Sequence, residues 1–308
     1  MKTWKTSALS LLVLCSIHLS GCDSLRQEVD PDRLNREAAK LVVACFLSPQ
    51  DTLLAVKLIR TKTVLSDGSA GSSADNNVTD AVVTLSEGGR TVTLGYDAKG
   101  NFYRTSVRQL PVVAGRTYAL TVQTPDGQRA TSTCTVPGPV QPTGITFDSL
   151  TENQFGRQIK RYFVRARWLD PAGQADYYLT TGSYRFAVPN APGKEQLGYL
   201  SVGNNNNGGL LTDRNTEGRE MISERLFMSG ISYSNNGQAN YGRYKITNVL
   251  VNLFNTNQAY YQYMDAVARQ SQVSGNPFAE PVPIPSNIEG ALGCFGAYNR
   301  STLTVQLK

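Results

Sequence analysis

Residues 117–136 read TYALTVQTPDGQRATSTCTV, and this stretch decides the fold class. Tyr118, Leu120 and Val122 alternate with Thr117, Ala119, Thr121 and Gln123, so one face is apolar and the other polar. A period of two belongs to a strand buried on one side. Thr124-Pro125-Asp126-Gly127 supplies a tight turn, because proline presets its own φ and glycine accepts a positive one. Arg129–Val136 then returns as a second strand. Working outward, the same pattern fills residues 40–137, with strand-like runs at Leu41–Leu47, Thr52–Arg60, Ala81–Glu87, Thr91–Tyr96 and Phe102–Val107. Glu87-Gly88-Gly89-Arg90 is a further hairpin signal. Seven short strands in about a hundred residues predict an immunoglobulin-like β-sandwich. Ser66–Asn77, SDGSAGSSADNN, reads as a solvated loop, since its aspartates are too far apart for an EF-hand.

Pro137, Pro139 and Pro142 then break the pattern. Proline cannot donate to a ladder, so residues 138–142 are predicted to be a stiff connection. Residues 143–308 are strand-rich again. Tyr162, Val164, Ala166 and Trp168 alternate with Arg161, Phe163, Arg165 and Arg167, giving a half-buried strand with a basic outer face. Asp170-Pro171-Ala172-Gly173 turns the chain into a strand over Tyr177–Phe186. Met221–Met228 and Tyr244–Phe254 follow, and Leu292–Tyr298 and Ser301–Gln306 close the chain. One helix is expected from about Thr256 to Gln272, with Asn255 or Thr256 as its cap. Tyr260, Tyr263, Met264 and Val267 form its apolar stripe. The fold expected is therefore mostly β: an immunoglobulin-like sandwich, then a second sandwich-like domain carrying one amphipathic helix.

The N-terminus carries a separate message. Lys2 and Lys5 precede an apolar run from Ala8 to Leu19, and Leu19-Ser20-Gly21-Cys22 matches a bacterial lipobox. The reading is a signal peptide over residues 1–21, a lipidated Cys22 carrying acyl chains such as palmitate, and a polar tether over residues 22–39. Two or more acyl chains anchor stably where one is marginal. A chain of 308 residues leaves room for two domains beyond that signal.

Composition removes several function classes. The only histidine, His18, lies inside the expected signal peptide, so the mature body offers no imidazole base, no Ser-His-Asp or Cys-His pair and no histidine metal site. The net charge of +6 is spread along the chain without a basic block, so nucleic-acid binding has no footprint. Cys45, Cys134 and Cys294 show no CxxC spacing, and neither a metal nor a cofactor is expected. Cys45 and Cys134 lie in strand-like runs, where an export compartment permits a disulfide; the alternative is that all three are buried small apolar residues.

Several stretches together resemble a known family. They are the lipobox and tether, Val78–Leu85 (VTDAVVTL), Ala114–Val122 (AGRTYALTV), Ser274–Val282 (SGNPFAEPV) and Ser286–Gly293 (SNIEGALG). The chain resembles the Bacteroidota lipoproteins grouped as domain-of-unknown-function family 4249. That resemblance implies an outer-membrane lipoprotein, facing the periplasm or the cell surface, working beside a TonB-dependent receptor. It brings no catalytic residues with it.

The function expected is a non-catalytic accessory or ligand-capture partner of a nutrient importer, anchored in the lipid bilayer through Cys22. A surface adhesion or spacer protein is the alternative, and a glycoside hydrolase a further one. For the hydrolase, Asp170, Asp176, Glu195, Asp213, Glu217, Glu220 and Glu224 are available, and two buried carboxylates facing each other in a cleft would favour it. All tyrosines except Tyr96, Tyr103 and Tyr118 fall after the linker, as does Trp168. Aromatic faces beside amides suit a glycan or a peptide. The candidate ligand or partner contacts are Trp168, Tyr177, Tyr178, Asn276, Phe278, Asn287 and Glu289. Asn276, Phe278, Asn287 and Glu289 equally serve a turn that packs the helix end. Cys22→Ser is expected to move the protein from the membrane fraction to the soluble fraction, as checked by fractionating intact cells.

Overall fold

The computed structural model describes residues 39–61, 76–154, 156–187, 193–203, 208–228, 245–273, 276, 279–280 and 282–307. Cys22, Phe278, the signal peptide and most of the tether and of the Ser66–Asn77 loop lie outside the described residues. The elements in chain order are β1 (Leu41–Leu47), β2 (Leu53–Arg60), β3 (Val82–Glu87), β4 (Arg90–Asp97), β5 (Phe102–Ser106), β6 (Thr117–Gln123), β7 (Arg129–Thr135), β8 (Pro142–Gln154), β9 (Arg157–Leu169), β10 (Tyr177–Ala187), β11 (Glu195–Val202), β12 (Leu210–Thr212), β13 (Glu220–Ile222), β14 (Leu226–Met228), β15 (Ile246–Thr256), α1 (Gln258–Val273) and β16 (Leu292–Gln306). The chain is mostly β, as its alternation predicts.

The first seven strands follow the sequence reading closely. In β1 every second residue is buried, and β6 buries Tyr118, Leu120 and Val122. These side chains meet those of β2, β3 and β5 in one apolar core. Two layers arise because β4 changes partners along its length. Arg90–Leu94 pairs with β3, whereas Gly95–Asp97 pairs with β5. A strand that switches sheets in this way turns one ladder into two facing faces. The buried Tyr118 hydroxyl donates to Pro111 O (2.7 Å) and accepts Val113 N–H (2.8 Å), a tyrosine corner of the kind used by immunoglobulin-type sandwiches.

The proline-rich segment is tied down at both flanks. Asn299 Nδ2 donates to Pro137 O (3.1 Å) and Asn255 Nδ2 to Gly138 O (3.2 Å). Val140 is buried in the second core, and Pro142 already stands at the start of β8, where a missing N–H is tolerated. Residues 138–142 are thus built into the body rather than spanning a gap.

A second core lies between β9, β13 and β14 on one side and β10 and β15 on the other. The β8–β9 hairpin, with arms of 13 residues each, extends well beyond the strand expected at Arg161–Trp168. The run Met221–Met228 is two short strands rather than one. Ser223 breaks it: its Oγ accepts Ala166 N–H, and its own N–H donates to Ala166 O.

The closing segment departs furthest from the sequence reading. Leu292–Tyr298 and Ser301–Gln306 are one continuous strand, β16. Leu292–Ala297 pairs in parallel with Val42–Leu47 of β1. Tyr298–Gln306 pairs antiparallel with β15. Phe295, Ala297 and Ile288 therefore sit in the core of the N-terminal strands, although they follow the proline-rich segment by some 150 residues of chain.

The helix starts two residues later than expected, and its cap is Asn257. Asn257 Oδ1 accepts Tyr260 N–H (3.0 Å) and also Ala297 N–H (3.1 Å). Asn255 and Thr256 are the last residues of β15, and their side chains are engaged elsewhere. Tyr260 and Ala266 are the buried helix residues, and Tyr263 and Met264 flank them as the stripe predicts.

Two glycines permit the close approach of the closing segment to β1 and β7. At Gly293, φ is +117° and a Cβ would stand 1.9 Å from Val43 O; at Gly290, φ is +78° and a Cβ would stand 2.2 Å from Arg129 O. Backbone packed that closely leaves no room for a side chain. Gly293→Ala is expected to destabilise the fold by about 3 kcal/mol or more, measured as a lower midpoint in urea unfolding.

Candidate functional site

The strands place the predicted contact residues in very different surroundings. Trp168 and Tyr178 are fully buried, their rings 5.2 Å apart within the second core, and cannot touch a ligand there. Tyr177, their neighbour on β10, points the other way because strand residues alternate faces. It packs at 5.1 Å against Tyr261 of α1. The two rings stand in a surface cleft of about 720 Å³ lined also by Arg214, Glu220, Gln258 and Gln262. Such a lining of rings, amides and both charges suits a polar ligand with a flat face.

Asn287 and Glu289 hold the chain together. Asn287 Nδ2 donates to Phe295 O (2.8 Å), and its Oδ1 accepts Phe295 N–H (2.9 Å). Glu289 exchanges two backbone hydrogen bonds with Thr131 of β7, at 2.9 and 3.0 Å. The segment before β16 is thereby laced to the far edge of the first sandwich. Asn276 N–H donates to Val273 O, closing the end of α1.

The cysteines resolve the alternative left open above. No disulfide joins Cys45 to Cys134; both, like Cys294, are buried free thiols. Burial raises the Cys45 thiol well above its ordinary value and pushes those of Cys134 and Cys294 up to about 12.

Beside the cleft the fold assembles a group that sequence spacing did not announce. Asp170 leaves β9, Asp176 enters β10 and Asp213 follows β12. One carboxylate oxygen from each lies within 4.8 Å of the others. All three side chains are buried, at 2 %, 4 % and 4 % exposure. Two loops hold them. Tyr178 OH donates to Asp170 Oδ1 (2.6 Å), Gly218 N–H to Asp170 Oδ2 (2.9 Å) and Asp176 N–H to Asp213 Oδ2 (2.9 Å). Gln174 Nε2 reaches both oxygens of Asp176. Burial, reinforced by Asp170 and Asp213, raises the Asp176 carboxyl above its usual range despite the Gln174 hydrogen bond. Burial and the hydrogen bond to Asp170 likewise raise the Tyr178 hydroxyl. Among the described residues no lysine or arginine forms an ion pair with any of the three.

Asp170 and Asp176 sit six apart around a predicted turn, which is the signal available beforehand. Asp213 is brought in only by the pairing of β10 with β12.

Comparison with known proteins gives one family. A family model described as a domain of unknown function (DUF4249) matches residues 25–304. No curated protein matches the chain.

The raised thiols carry a direct expectation. At pH 8 a thiol with a value of about 12 is thiolate in about one molecule in ten thousand. Iodoacetamide is therefore expected to leave Cys45, Cys134 and Cys294 unmodified in the native protein and to alkylate all three after denaturation, as read by mass spectrometry.

Proposed function

The chain belongs to the DUF4249 family, and from that premise we propose that it is a lipid-anchored outer-membrane protein that captures a ligand for a TonB-dependent importer. The observation that carries this reading is the lipobox Leu19–Cys22 behind a positive start and a short apolar run. The open cleft at Tyr177 and Tyr261 supports the capture role, and its mixed lining fits a glycan or a short peptide. Residues 22–39 serve as the tether, and Cys22 carries the acyl chains.

The carboxylate geometry weighs against hydrolysis at the acidic centre. Two-carboxylate glycosidases hold their groups roughly 5–10 Å apart with the sugar between them. Here the oxygens of Asp170, Asp176 and Asp213 lie within 4.8 Å, buried, and partly engaged by backbone N–H groups.

Affinity capture of the full-length protein from native membranes in mild detergent tests the reading. A β-barrel receptor is expected to co-purify in stoichiometric amount. Recovery of the protein alone, or of self-assembled copies, would instead favour the spacer or adhesion role.

A further inference from the structure

Three buried carboxylates within 4.8 Å form a charge problem that the described residues do not solve. Burying one unpaired carboxylate is already costly, and like charges at this distance repel strongly. Hydrogen bonds from Tyr178, Gly218 and Gln174 offset part of that cost without neutralising the charge.

Asn255, only 1 % exposed, ends β15 directly opposite Tyr178 and turns its amide onto the acidic group. Its Nδ2 stands 3.5 Å from Asp176 Oδ1 and 3.2 Å from Gly138 O. The Oδ1 of the same amide is buried and has no hydrogen-bond partner. A buried amide oxygen without a donor is rare in folded proteins and calls for an unseen partner. The amide that carries this oxygen borders Asp176, and a cation held by the three carboxylates would both give the oxygen a partner and offset the surplus negative charge.

We propose that Asp170, Asp176, Asp213 and Asn255 form a divalent-cation site, and that its ion is calcium. The donors are all oxygens, which selects a hard cation over zinc or copper. Calcium takes oxygens at 2.3–2.6 Å, so its coordination sphere is roughly 4.6–5.2 Å across. Oxygens within 4.8 Å of one another fit on that sphere, whereas the octahedron of magnesium, roughly 4.0–4.2 Å across, is tighter. The ion ties the Asp170–Asp176 turn to the Asp213–Arg219 loop. Thr212, Arg214 and Thr216, on either side of Asp213, line the Tyr177–Tyr261 cleft, so the ion orders one wall of that cleft. The inference rests on the acidic centre alone and stands whether or not the cleft feeds an importer.

Terbium titration of the full-length protein in detergent tests it, after removal of bound metal by a chelator. Trp168 and Tyr178 pack together, and Tyr178 OH touches Asp170, so terbium in the site is excited through them. The expected result is one saturable luminescent site per chain, displaced by calcium. Addition of about 5 mM calcium, above the affinity range of extracellular modules, is expected to raise Tm by about 5 °C or more relative to chelator. Asp213→Asn keeps an oxygen for Asp176 N–H and is expected to weaken terbium binding about tenfold or more. An unchanged Tm in calcium and chelator, together with no saturable luminescence, would mean that shared protons neutralise the group, and would overturn the assignment. Unchanged terbium affinity in Asp213→Asn would overturn it equally. The wild-type titration decides by itself if that variant does not fold.

Discussion

Parallel pairing between β1 and the first half of β16 is the constraint on which the architecture depends. Val42–Leu47 lies against Leu292–Ala297, so the two ends of the described chain form adjacent strands. A parallel pair needs a long crossover; here almost the whole protein is that crossover. Beyond Ala297 the same strand continues onto β15. One strand thus belongs to both sandwiches. Its inner residues fill the first core at Phe295 and Ala297, and its later residues complete the sheet that faces the second. The junction is fastened where β16 changes partner: Gln50 Nε2 donates to Asn299 Oδ1, Arg300 N–H donates to Gln50 Oε1, and Asn299 Nδ2 donates to Pro137 O. Contacts of such sequence separation form late and slow folding, because loop entropy must be lost before they are gained.

The cleft and the acidic centre are both consequences of where that junction puts β15 and α1. Asn255, Thr256 and Asn257 are consecutive, and each does a different task. Asn255 reaches Gly138 and Asp176, Thr256 OH donates to Tyr177 O, and Asn257 caps the helix while exchanging backbone and side-chain bonds with Ala297. The helix is thereby set across the outer face of the sheet, with Tyr260 against Phe46 and Tyr298. Its exposed side brings Tyr261 to Tyr177 and forms one wall of the cleft. The other wall is the Asp213–Arg219 loop, whose position is fixed by bonds to Asp170 and Asp176.

The family motif residues gain a structural meaning from the same junction. Asn287 imitates a strand neighbour by pairing both ways with Phe295, and Glu289 bridges to Thr131. Gly290 and Gly293 sit where backbones of β7 and β1 approach too closely for any Cβ. The late Asn-Ile-Glu-Gly stretch therefore fastens the last strand to the first sandwich, and its sequence pattern follows from that geometry.

What the sequence determined by itself was local and periodic. Alternation at Tyr118, Leu120 and Val122, the Gly-Gly and Pro-Asp-Gly turns and the helical stripe at Tyr260, Tyr263 and Met264 gave the strands, hairpins and helix, because each depends on neighbours within a few residues. Tyr177 and Tyr178 illustrate where that information stops: adjacent aromatics, one in a cleft and one wholly buried, separated only by which face of β10 meets the second core. The gathering of Asp170, Asp176 and Asp213 and the union of the two closing strands into β16 were decided by tertiary structure alone. Each joins residues distant in the chain, and pairing register over such distances is set by the packing of whole faces, to which no single segment holds the key.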